Sequence, residues 1–173
     1  KEVVAMAHPR NITVEAELGK IGTTDFVETD MDEELYTDPE EAARFCRETG
    51  VDCLAVSVGT AHGVYTVRQP KGDYERLQAI NQLTPTPLVL HGGSGVPSKM
   101  VTKAAQIESG GVCKVNIATD LELAMLAVVG REGHLTEEEL NRYPEEIIEK
   151  SQEAVRILVE DKIKNYLGSE NKA

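Results

Sequence analysis

Four times along this chain a short β-branched or aliphatic segment gives way to polar or glycine-rich residues and then to an amphipathic segment. Strands separated in this way by helices do not pair as hairpins. They run parallel, and each helix crosses over the sheet. ITVEAEL (12–18) predicts the first strand, stopped at Gly19. Asp38–Thr49 predicts a helix, with Asp38 as cap, Pro39 in the first turn and Gly50 as the stop. VDCLAVSV (51–58) is the second strand and Asp73–Leu83 the second helix. Residues 85–90 end in PLVL, a continuous apolar run typical of a strand covered on both faces. Val96–Glu108 is expected to be helical with Pro97 in its first turn, VCKVNI (112–117) to be the fourth strand, and Asp120–Val129 the fourth helix.

The rest of the chain is a helical extension over 135–167. TEEE at 136–139 is a capping-box pattern. A longer helix follows Pro144, with Ile147, Ile148, Val155, Leu158, Val159 and Ile163 on one stripe. The connection Lys20–Thr37 is acidic and too long for an ordinary βα link. It is expected to be either a mobile lid or a poorly ordered excursion.

Composition narrows the function classes. Eighteen basic against thirty acidic residues give a net charge of −12, a poor match to nucleic acid or anionic membranes. Hydrophobic residues make up 40% and aromatics 4%, without Trp, so the core is expected to be aliphatic. The uncharged apolar stretches are strand-sized, and the first residues lack a secretory signal's long apolar centre. Cys46, Cys53 and Cys113 are odd in number and without CxxC spacing, which reads as reduced thiols in a cytoplasmic protein.

The carboxyl ends of parallel strands lie on one face, where active sites are built. There this chain places Glu17, His62, His91 and Asn116. Two histidines and a carboxylate suit a borderline cation such as Zn²⁺; each His is also compatible with a satisfied polar residue at a loop mouth, and Glu17 with a strand-end cap or salt bridge. HGGSGVP (91–97) is more pointed. Its glycines let bare N–H groups approach a ligand, and it runs into a helix whose positive end faces outward, as in an anion or phosphate cradle. Gly63 and residues 116–119 are placed to add amides. Lys114 is open to three readings: a Schiff-base lysine, a structural ion pair, or an ion pair on the substrate side. Its spacing puts it on the face of Asn116.

VEAELG (14–19), GTAHGVY (59–65), PLVLHGGSGVP (87–97) and KVNIATDLELA (114–124) resemble the class II, metal-dependent ketose-bisphosphate aldolases, most closely their fructose- and tagatose-bisphosphate branch. The resemblance runs over nearly the whole chain. It implies a parallel (β/α)8 barrel and the reversible cleavage of a ketose 1,6-bisphosphate to dihydroxyacetone phosphate and glyceraldehyde 3-phosphate. Zn²⁺ would polarise the carbonyl and stabilise the enediolate. It further implies that His62 and His91 are metal ligands, with Glu17 an alternate one. Gly63, Gly92, Gly93 and Ser94 would bind the dihydroxyacetone phosphate together with Asn116, Ile117, Ala118 and Thr119. A monovalent cation (Na⁺ or K⁺) near these loops and a homodimer or tetramer belong to the same expectation.

Two departures bear on it. A barrel of this kind takes about 250 residues, and this chain has 173 with four βα units. The resemblance is therefore to the last four units plus carboxyl-terminal helices. A missing amino-terminal half would bring a third metal-binding His and a catalytic Asp. The family's loop Glu, which abstracts the substrate proton, is met here by Asp25 in Gly22-Thr23-Thr24-Asp25, one methylene shorter, with Glu28 as a substitute. The expectations divide between an aldolase half-site with Asp25 and Asn116 as catalytic residues, and a non-catalytic sugar-phosphate or metal-binding half-barrel.

Overall fold

In the computed structural model of the chain, residues 1–20, 35–62, 70–108 and 110–172 are described. The chain divides into two compact units, Lys1–Asn116 and Ile117–Ala173.

The first unit is a four-stranded parallel sheet in the order β1-β2-β3-β4, formed by Glu15–Leu18, Cys53–Val56, Leu88–Leu90 and Val112–Val115. A short helix α1 (Glu2–Ala7) and a 3₁₀ turn (His8–Arg10) precede it; the sequence pattern assigns neither. Helices α2 (Pro39–Thr49), α3 (Tyr74–Leu83) and α4 (Ser98–Ala105) lie between the strands. Local signals place their ends. Asp38 accepts from the Glu41 N–H at 2.9 Å, Asp73 accepts from the Arg76 N–H at 2.9 Å, and Gly50 closes α2 at φ +71°. α4 is shorter than expected. Pro97 caps it from outside at ψ 135° and does not enter its first turn. The described strands are likewise shorter than the apolar runs that announce them.

The register sorts the side chains into two faces, because residues paired across parallel strands point to the same side. Leu54, Leu88 and Val112 are in register and buried, and Val56 and Leu90 continue that layer. With Leu77, Ile80 and Val101 they form the aliphatic core. The other face carries Glu15, Glu17, Cys53, Ala55, Val89 and Lys114. A bulge sets the last of these. Leu88 pairs with Val112, but Val89 pairs with Lys114, so Cys113 is an extra residue in β4.

In the second unit, α5 (Thr119–Val129) packs on α7 (Glu145–Asp161), with a short α6 (Glu137–Leu140) between them in sequence and a π-helical turn (Lys162–Leu167) after α7. The expected capping box is present: Thr136 Oγ1 accepts from the Glu139 N–H, and the Glu139 carboxylate accepts from the Thr136 N–H. The apolar stripe of α7 is narrower than its sequence pattern. Val159 and Ile163, at its edge, stand exposed. Lys162 Nζ pairs with Asp120 at 2.5 Å and lies over the Tyr166 ring. No helix among the described residues is long and apolar enough to cross a membrane.

Candidate active site

β1 presents two carboxylates to the inner face, Glu15 and Glu17, two residues apart. His91, just past the end of β3, reaches both. Its Nδ1 lies 2.7 Å from Glu17 Oε2 and its Nε2 lies 3.0 Å from Glu15 Oε1. The imidazole is thus gripped at both nitrogens and is mostly buried, with 16% of the side chain exposed. The His62 ring, after β2, sits beside it, with centroids 5.8 Å apart and planes inclined at 34°. Thr60 donates to the His91 carbonyl at 2.8 Å, which ties the two loops together.

From β4, Lys114 Nζ donates to Glu15 Oε2 at 2.8 Å and to Asn116 Oδ1 at 2.6 Å. Of the readings open for Lys114, the ion pair is the one the structure displays. Burial acts to raise the Glu15 pKa. Hydrogen bonds from Lys114 and His91 outweigh it and hold the carboxyl below its ordinary range. Cys53 behaves oppositely. Burial, and then the charge of Glu15, to which its Sγ donates at 3.6 Å, push the thiol up. All three cysteines are free thiols, with Cys46 buried, Cys53 half-buried and Cys113 exposed.

The glycine-rich turn after His91 is shaped by close backbone approach. Gly92 adopts φ +66°, and a Cβ there would lie 2.4 Å from the Ala61 carbonyl oxygen. The Gly93 N–H donates to the Asn116 carbonyl at 3.0 Å, and the Asn116 N–H to the Leu90 carbonyl at 2.9 Å. The Gly93 amide therefore joins the ends of β3 and β4. Ser94 is buried at 5% exposure.

The first unit thus brings Glu17, His62, His91, Gly92, Gly93, Ser94 and Asn116 to one end of its sheet. Ile117, Ala118 and Thr119 begin the second unit, with Ala118 as cap and Thr119 as first residue of α5. Asp25, Glu28 and Gly63 lie outside the described residues. Glu15 is the participant that sequence reasoning passed over. Its signal was the i, i+2 spacing to Glu17, which on a strand puts both carboxylates on one face.

Among the described residues, no three His, Cys, Asp or Glu side chains are arranged to hold a metal ion. The donor chemistry nevertheless fits one, since His62, His91 and the carboxylates beside them are the ligand types of a borderline divalent cation. The set is not closed around a point. An ion at His91 must displace Glu15 or Glu17 from a ring nitrogen.

A parallel sheet with imidazoles and carboxylates at its carboxyl ends is the ground plan of a (β/α)8-barrel site. The family model described as class II fructose-bisphosphate aldolase matches residues 1–172, and the chain belongs to that family. Among solved structures, the chain is similar to the YdjI aldolase from Escherichia coli K12, at 35% identity and TM-score 0.75, over 99% of this chain and 55% of that one. It is similar to a protein from Coccidioides immitis provisionally named a fructose-1,6-bisphosphate aldolase, at 34% identity and TM-score 0.77, over 99% of this chain and 57% of that one. In fold it also matches a fructose-bisphosphate aldolase from Campylobacter jejuni, at 24% identity and TM-score 0.69, over 95% of this chain and 54% of that one. The chain spans about half the length of the structures it matches.

Proposed function

We propose that this chain supplies the carboxyl-terminal half of the active site of a class II ketose-bisphosphate aldolase. The reaction is reversible cleavage of fructose or tagatose 1,6-bisphosphate to dihydroxyacetone phosphate and glyceraldehyde 3-phosphate. The observation that carries this reading is His91, set beside His62 and held at both ring nitrogens by Glu15 and Glu17, within a chain of this family.

His62 and His91 would hold a Zn²⁺ ion, with Glu17 as an alternate ligand. The ion supplies a Lewis acid for the substrate carbonyl. Glu15 or Glu17, whichever stays on the imidazole, orients it. The turn over Gly92, Gly93 and Ser94, with Gly63 and residues 116–119, binds the phosphate of the three-carbon fragment. Asn116 donates from its amide to the oxygen that gains charge as the C–H bond breaks. Asp25 takes the proton, with Glu28 as its substitute. A monovalent cation near the phosphate loops, a dimer or tetramer, and a cytoplasmic setting complete the reading. An amino-terminal half of the barrel supplies the remaining metal ligand and the second catalytic acid.

The test is a coupled assay of aldol cleavage on the intact protein, with and without EDTA. Zinc-restorable cleavage of either bisphosphate supports the reading. Cleavage that survives chelation removes the metal role. Binding of dihydroxyacetone phosphate without cleavage would indicate a non-catalytic sugar-phosphate-binding protein; the unclosed donor set around His91 is what keeps that second reading in view.

A further inference from the structure

Lys114 joins a carboxylate of the site to its amide: it donates to Glu15 Oε2 at 2.8 Å and to Asn116 Oδ1 at 2.6 Å. An ammonium group has three donors and no acceptor. Beside it the Asn116 amide has one stable orientation, oxygen toward Lys114. The alternative would set –NH₂ against –NH₃⁺. The Asn116 backbone is fixed as well, since its N–H donates to the Leu90 carbonyl and its carbonyl accepts from the Gly93 N–H. With the oxygen taken and the main chain held, the two N–H bonds of the amide are what Asn116 has to offer.

We propose that Lys114 is a positioning residue. It selects the amide orientation in which Asn116 presents donors and not an acceptor, and Glu15 holds Lys114 in place to do so. A site that must accommodate growing negative charge on oxygen gains from donors set in advance. An amide free to flip would offer its oxygen part of the time and repel that charge. This assignment rests on the aldolase reading for its purpose, but not for its geometry.

The test has two arms on the intact protein. The first measures ¹⁵N relaxation of the Asn116 side-chain amide. The native amide should be ordered. It should lose order in Lys114→Met and recover most of it in Lys114→Arg, whose guanidinium also only donates. Equal order in the native protein and Lys114→Met overturns the proposal, whatever the activity. The second arm is a double-mutant cycle on cleavage of fructose or tagatose 1,6-bisphosphate. Lys114→Met should lower kcat on the order of tenfold, with KM moving less. Added to Asn116→Ala, the same change should cost less than about twofold, because its effect runs through the amide. Penalties that multiply independently would overturn the proposal. If the native protein cleaves neither bisphosphate, the aldolase reading fails, and the amide measurement alone decides the role of Lys114.

Discussion

Lys114 Nζ lies 2.8 Å from Glu15 Oε2, although the two residues belong to the outermost strands of a four-stranded sheet. In a flat sheet their backbones would stand about 14 Å apart, three strand spacings. Side chains that stand up from a flat sheet do not reach sideways across that gap. The sheet therefore curls toward the face that carries them, as an arc of a barrel must. Ala55 and Val89 lie on that face between them, both fully buried. The carboxylates, the imidazole and the amide meet because of this curvature, not because they are close in sequence.

Glu15 and Glu17 hold both nitrogens of His91, so the metal role proposed for this imidazole requires one of them to yield. On the proposed reading His91→Ala removes a metal ligand, and it should then lower the zinc affinity of the intact protein by at least about 100-fold, more than the loss of an outer partner costs. Chelator competition with a zinc-sensitive dye measures this. Unchanged affinity would take His91 out of the metal site.

Gly92 and Gly50 have similar backbone angles, φ +66° and φ +71°, but different surroundings. A Cβ at Gly50 meets nothing within 4 Å, whereas one at Gly92 meets the Ala61 carbonyl oxygen at 2.4 Å. Gly50→Ala should cost only the left-handed strain, about 1–2 kcal/mol. Gly92→Ala should cost clearly more, and should disturb His62, which directly follows Ala61 in the chain. Urea unfolding of both variants provides the comparison, and equal losses would contradict the close approach.

Glu139 contributes acid sensitivity to the second unit. Its hydrogen bond from Arg131 at 2.8 Å, joined by bonds from Thr136, lowers its pKa from 4.5 to about 2. A depressed native pKa adds stability above the unfolded value and loses it as pH falls from 4.5 toward about 2. Glu139→Gln should be less stable at neutral pH. Its urea midpoint should fall less across that acid range, and the two curves should approach each other near the bottom. The pair is exposed, so the difference is small. Midpoints that fall in parallel would sink the assignment.

Much of this arrangement can be read from the sequence. Caps at Asp38 and Asp73, the stop at Gly50 and the apolar runs of β2 and β3 are local signals, and they set the order of elements. The strand-end residues Glu17, His62 and His91 follow from that order. Other features are not local. Glu15 looked like an ordinary strand residue until β3 carried His91 over it. The two-residue spacing of Lys114 and Asn116 gave their common face, but not which side of the sheet that face is. Pairing with β3 decides that, and no pattern within VCKVNI reports it. The main-chain bond from Gly93 to Asn116 is equally a product of two distant segments meeting.

The extra residue in β4 works as a phase shift. Were Cys113 paired in the ladder and not bulged out of it, Lys114 would fall opposite Leu90 and turn into the helix layer, exchanging places with its apolar neighbours. What the site needs from position 113 is therefore that it stay out of the pairing, not that it carry a thiol. Cys113→Ala should leave stability and site geometry nearly intact, since the side chain is exposed and makes one weak bond, to the Leu88 carbonyl at 3.3 Å. Deleting Cys113 should likewise keep Lys114 opposite Val89 and Val115 opposite Leu90, because the removed residue pairs with neither; a collapse of unfolding cooperativity in a denaturant titration of the deletion variant would contradict this register. Position 113 is thus punctuation in β4: the pairing on either side of it, not its letter, decides which way Lys114 faces.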